Sequence, residues 1–139
     1  MIQKLSHTNL LVQDQDIAKE FYANKLGFEV RMDQTMGNGF RWLTVAPRGQ
    51  DLQIVLMKIS PSQFADEEAA AAVRVLLRKG ILGGGVFQTG DCRETYADLV
   101  AKGVEFQSPP TERFYGVEAM FKDGQGNWFS LTEPRNTRK

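Results

Sequence analysis

Apolar positions along the chain fall into strand-like and helix-like runs, and the same order of runs occurs twice. In the first half, Leu5 to Val12 reads as a strand and Asp16 to Leu26 as a helix. Ile17, Phe21 and Tyr22 share one face of that helix. Asp14 is placed to cap its start, and Gly27 stands where a left-handed residue ends a helix. Three strand-like runs follow at 28–33, 39–46 and 51–58, separated by Gly/Asn or Gly/Pro turns. The second half repeats the order. A strand over Gly84 to Thr89, with a glycine run at its start, leads through Asp91 into a helix over Cys92 to Lys102. Tyr96, Leu99 and Val100 form its apolar face, and Gly103 ends it. Strand-like runs at 104–107, 116–122 and 128–133 complete the copy. The unit is β-α-β-β-β, written twice.

Residue matches support the repeat. Gly49 to Ile54 lines up with Gly126 to Leu131 at an offset of 77 (126 − 49). Gly39 with Gly116 and Asp14 with Asp91 keep that offset, whereas Leu26 to Val30 matches Lys102 to Phe106 at 76, a slip one loop can absorb. Between the copies, residues 60–80 are alanine-rich with apolar positions 69, 73, 76 and 77. They predict a helix capped by Asp66 and stopped by Gly80. A connector packed on the outside is expected, a lid or dimer contact being the alternative. The chain thus divides into module 1 (1–59), connecting helix (60–82) and module 2 (83–139).

Composition narrows the function classes. With 17 basic and 17 acidic residues, the chain carries no net charge, and no basic stripe alternates with aromatics, so no nucleic-acid partner is expected. No apolar run is long enough to span a membrane, and MIQKLSHTNLLV lacks the apolar stretch of a signal peptide. The single cysteine, Cys92, excludes an internal disulfide, so a cytoplasmic location is expected. Cys92 lies at a helix start, but Asp91 opposes ionisation and no histidine is near in sequence, so a capping or packing role is expected. Glycines 83–85 lack the lysine of a P-loop, and one histidine gives a Ser-His-Asp triad little support.

The stretches SHTNLLVQD (6–14), FYANKLGFEV (21–30), TGDCRETYADLVAKGVEF (89–106) and YGVEAMFKDGQGNWFSLTE (115–133) resemble the vicinal oxygen chelate superfamily, the glyoxalase/bleomycin resistance/dioxygenase family. The resemblance implies an α+β fold with two βαβββ modules in tandem, whose curled mixed sheet surrounds a cleft. A homodimer, with or without strand exchange, often completes that cleft. It also implies four metal-ligand positions, in the first and last strand of each module. These fall on His7, Gln53, Gly84 and Ser130, and the offset of 77 relates them in pairs. Metal enzymes of this kind use His and Glu. Here glycine offers no donor, glutamine and serine are neutral, and only His7 is a good ligand.

Ser130 therefore reads as a pocket-lining residue, and no metal or other cofactor is expected; the alternative is a divalent metal with His7 as one ligand. Strand alternation, with the inward face set by the resemblance, places His7, Asn9, Gln53, Gln88 and Ser130 on the cleft floor among Leu11, Val55, Met57 and Val86. Neutral hydrogen-bonding groups among apolar ones suit a small apolar or aromatic ligand. His7 is the sole candidate general base, set against a bland hydrogen-bonded histidine. Trp42 and Arg41 could stack on or clamp a ligand, but core packing is expected for Trp42 and a surface or interface position for Arg41. Phe114 and Tyr115 form either a closing loop or a simple turn. The expected function is small-molecule binding without a catalytic metal. The alternative is a metal-dependent or His7-based lyase, isomerase or dioxygenase, and a regulatory interaction module is a third class.

Overall fold

The computed structural model describes residues 1–60 and 66–135. The chain divides into two compact units, Met1–Val75 and Leu76–Lys139. Each contains a four-stranded mixed sheet, and together they form two tandem βαβββ modules.

In the first unit the sheet is built from β1 (His7–Val12), β2 (Glu29–Thr35), β3 (Arg41–Ala46) and β4 (Gln53–Lys58), in the order β1-β4-β3-β2. β1 runs parallel to β4, and the other pairs are antiparallel. One parity of these strands is apolar: Leu10, Val12, Leu43, Val45, Ile54 and Leu56 are buried. This face receives α1 (Gln15–Glu20), whose start is capped by the Asp14 carboxylate accepting from the Ile17 amide at 2.9 Å. The predicted helix does not stay regular to Leu26. It widens into a π-helical turn over Phe21–Lys25, with the Leu26 amide donating to the Phe21 carbonyl. Ala18, Phe21 and Tyr22 are buried, while Ile17, expected on the inner face, is 58% exposed.

The connecting helix α2 spans Glu67–Lys79. Asp66 caps it through the Ala69 amide at 2.8 Å, and Gly80 ends it at φ +70°. Residues 61–65 of the predicted helix lie outside the described residues.

The second unit contains β5 (Leu82–Gln88), α3 (Cys92–Ala101), β6 (Phe106–Arg113), β7 (Gly116–Lys122) and β8 (Asn127–Pro134), with sheet order β5-β8-β7-β6. Its core is aromatic: Phe87 lies 4.7 Å and Phe121 5.5 Å from Phe129 between ring centroids, and Tyr96 meets Phe106 edge-on. α3 covers this face with Cys92 and Leu99, whereas Val100, expected there, is 46% exposed. The Cys92 thiol is buried and donates to the Leu131 carbonyl. Burial, then the Glu133 carboxylate, pushes its pKa up, so it packs rather than attacks. β6 runs well past the predicted 104–107 and includes Pro109 and Pro110. It is an edge strand, where a missing amide leaves no ladder bond unmade.

The DGQGN turn before β8 is organised by Asp123. Its buried carboxylate accepts from the amides of Gln125 and Asn127 and from the Asn127 side-chain amide, at 2.7, 3.0 and 3.0 Å. Gly126 is dictated by space as well as by its φ of +105°, because a Cβ there would stand 2.4 Å from the Leu77 carbonyl oxygen. Among the described residues no helix is long and apolar enough to cross a membrane.

Candidate functional site

In each sheet the parity opposite the helix carries the polar groups. In the first unit, His7 pairs with Gln53 and Asn9 with Val55, so two of the four expected ligand positions stand side by side. His7 is half-buried. Its Nδ1 is 2.9 Å from Ser6 Oγ, and its ring centroid lies 5.6 Å from that of Trp42. Trp42 is not core. It is half-exposed, and its ring also lies 6.4 Å from Phe40, because its parity on β3 faces away from α1. Gln53 is tied down: Thr44 Oγ1 donates to Gln53 Oε1 at 2.8 Å, and Thr44 is fully buried. Val55 is also fully buried, while Asn9 is exposed.

Arg41 is not free to clamp a ligand. Its guanidinium holds Asp33 through two bonds, at 2.9 and 3.0 Å, and Asp16 at 2.7 Å; Lys19 holds Asp33 from the other side at 2.7 Å. This fork of charge-assisted bonds keeps the Asp33 carboxyl far below the ordinary carboxylate range and the guanidinium above its own. Arg41 thus joins α1 to the β2–β3 hairpin.

In the second unit Ser130 has a partner that sequence reasoning missed. Ser130 Oγ donates to Glu118 Oε2 at 2.5 Å and lies 2.9 Å from Thr132 Oγ1, while the Tyr115 hydroxyl donates to Glu118 Oε1. The Ser130 and Tyr115 hydroxyls, in that order, hold the Glu118 carboxyl below its ordinary pKa. The same carboxylate pushes the Tyr115 hydroxyl up. The signal for Glu118 was present in β7: alternation puts Ala119 and Phe121 in the core and Glu118 with Met120 on the other face.

Gly84 does not lie opposite Ser130. Between Gly83 and Gly85 the β5–β8 register shifts, so Val86 pairs with Ser130 and Gln88 with Thr132. A Cβ on Gly84 would fall 2.4 Å from the Phe129 ring, on the core side of the sheet. The Phe129 ring thus fills the space that a side chain at Gly84 would need. Val86 is 70% exposed and Gln88 is exposed as well. Phe114 and Tyr115 form a tight turn between β6 and β7, with Phe114 86% exposed. Among the described residues no three His, Cys, Asp or Glu side chains cluster as a metal-binding group.

Comparison with known proteins agrees with this architecture. The solved structure of UcmS2 is similar at 47% identity, covering 96% of this chain and 99% of that one, with a TM-score of 0.89. TnmS3, described as an antibiotic binding protein from Streptomyces sp. CB03234, is 32% identical over 96% of this chain and 98% of its own, with a TM-score of 0.76. YurT of Bacillus subtilis (strain 168) is 35% identical over 131 residues, 94% of this chain and 98% of that protein. The model of the Glyoxalase/Bleomycin resistance protein/Dioxygenase superfamily matches residues 4–131, and with the βαβββ repeat on both sides of α2 the chain belongs to that superfamily.

Proposed function

We propose that this chain is a metal-free small-molecule-binding protein of the antibiotic-binding type. One observation carries the reading. The groups at the expected ligand positions are already committed to internal bonds or lack a donor. Gln53 Oε1 accepts from Thr44, Ser130 Oγ donates to Glu118, Gly84 has no side-chain donor, and the residue that pairs with Ser130 is the apolar Val86. A divalent ion needs several charged or strongly basic donors with room for substrate. His7 alone, beside a neutral amide, does not meet that need. The antibiotic-binding TnmS3, similar over nearly its full length, supports the binding class.

The ligand would be apolar or aromatic in part. Trp42, His7 and Phe40 present rings on or beside one open face of the first unit. Phe114 and Tyr115 do so in the second, at 5.0 Å between centroids. The protein would work as a cytoplasmic homodimer, so light scattering should give twice the mass of one chain. The decisive experiment is metal analysis after purification without chelators, paired with thermal shifts against Zn, Ni, Mn and Fe(II) and with fluorescence titration by aromatic antibiotics. Little metal, no metal-induced shift, and a saturable quench lost in Trp42→Phe are expected. Stoichiometric metal or a large metal-specific stabilisation would overturn the reading and put a His7-based metal enzyme in its place.

A further inference from the structure

The open face of the second unit carries a carboxylate whose surroundings are arranged for charge. Glu118 accepts one hydroxyl bond on each oxygen, from Tyr115 and Ser130, and each oxygen retains a further lone pair. Neither donor is cationic, so the negative charge is stabilised in place without being neutralised. Its side chain is 18% exposed, enough to be reached, while Ser130 beneath it is buried. Arg113 forms a long ion pair with it, Nε 3.9 Å from Glu118 Oε1 and beyond hydrogen-bonding distance, through a side chain that is 50% exposed and so leaves room for a closer cation. Glu118 pairs with the polar Thr111 and Thr132 across the sheet, and exposed aromatic and apolar groups stand close by. Tyr115 is 41% and Phe114 86% exposed, the two rings meet edge-on at 5.0 Å, and Val86, 70% exposed, pairs with Ser130.

We infer that Glu118, set by Ser130 and Tyr115 and flanked by Phe114 and Val86, is a subsite for a protonated amine carried on an aromatic or apolar ligand. An ammonium supplies the donors that a carboxylate with spare lone pairs lacks, and a charge-assisted bond of this kind is among the stronger polar contacts. The exposed rings receive the apolar body, and their faces also attract the cation. No group needs to move far, because the hydroxyl donors already hold the carboxylate in one orientation. The subsite rests on the small-molecule-binding reading and adds a charge requirement to it.

The test compares tryptamine with N-acetyltryptamine, which keeps the indole and removes the positive charge. Binding of both is followed by amide and side-chain NMR shifts of the full chain. Tryptamine is expected to bind at least about tenfold more tightly, equivalent to about 1.4 kcal/mol, with its largest shifts at Tyr115, Glu118 and Ser130. Glu118→Gln should bring the two affinities together.

A second variant guards against an unfolded E118Q. Gln88 is exposed and shares one row of the sheet with Thr132 and Glu118, so Gln88→Lys places an internal ammonium on the same face. It should erase the preference for tryptamine over N-acetyltryptamine. Equal affinities in the wild type, or a preference that survives both variants, would overturn the amine subsite while small-molecule binding stands. Failure of both probes to bind at millimolar concentration would overturn the subsite, and aromatic-antibiotic titration of the same sample would then decide the broader reading separately.

Discussion

The two units place a polar pair at the same point of their sheets but fill it with different chemistry. In the first, Thr44 pairs with Val55, and its hydroxyl reaches diagonally to Gln53. In the second, Glu118 pairs with Thr132, and its carboxylate takes the diagonal bond from Ser130. The geometry is shared, and each pair has one buried and one half-buried member, yet a neutral pair stands in one unit and an ion held by a hydroxyl in the other. The neighbouring strands differ as well. β1 brings His7 opposite Gln53 in unbroken register, whereas the β5 bulge gives up Gly84 to the Phe129 ring and brings Val86 opposite Ser130. A duplicated fold therefore conserves the frame of hydrogen bonds, while each side chain is free to change once its own partner is satisfied.

The comparison can be broken most severely at the turns before β4 and β8. Asp123 holds the turn of the second unit with three buried bonds. In the first, Arg31 holds the matching turn by donating to the carbonyls of Pro47 and Gln50 at 3.1 and 2.8 Å. Asp123→Ala strands three buried donors and should cost about 2–4 kcal/mol. Arg31→Ala leaves carbonyls that water can reach and should cost about 1 kcal/mol. Urea denaturation of both variants measures the difference, and equal losses would mean the two turns are held alike.

Next in size is Gly84→Val, which restores a side chain to the bulge. Its Cβ must displace the Phe129 ring from the aromatic core, a cost of about 2–3 kcal/mol. A variant as stable as the parent would show that β5 can return to the register of β1. The bulge would then be a choice rather than a packing necessity.

The smallest effect separates the two carboxylates by acid. Asp33 and Glu118 both have folded pKa values below their unfolded ones, so each adds stability above the ordinary carboxylate range of about 4. That stability is lost as pH falls below this range, because the unfolded chain takes up the proton first. Asp33 is shifted further, by a guanidinium fork and Lys19, than Glu118 is by two hydroxyls. Arg41→Ala should therefore flatten the loss between pH 5 and pH 3 more than Ser130→Ala does. Denaturation midpoints across that interval check the order.

Much of this was legible along the chain. The caps Asp14, Asp66 and Asp91, the helix stops Gly27, Gly80 and Gly103, and the placing of Ser130 on the polar side of β8 all follow from local conformation and period-two alternation. Such features depend on a residue and its near neighbours in sequence, and a repeat reports them twice. What failed was any statement that needed a partner from another element. The offset of 77 gave Gly84 the place that His7 holds in the first copy, because counting residues cannot detect the bulge between Gly83 and Gly85 that brings Val86 opposite Ser130. Arg41 looked available until Asp16 and Asp33 came to it from α1 and β2. Glu118, absent from the sequence-derived site, came beside Ser130 as a carboxylate once β7 was laid beside β8. Sequence by itself determined the two modules and the neutral side chains at Gln53 and Ser130, which the resemblance set at ligand positions. Tertiary structure decided what those residues do instead, since a hydrogen bond or an occupied space exists only when the second element arrives.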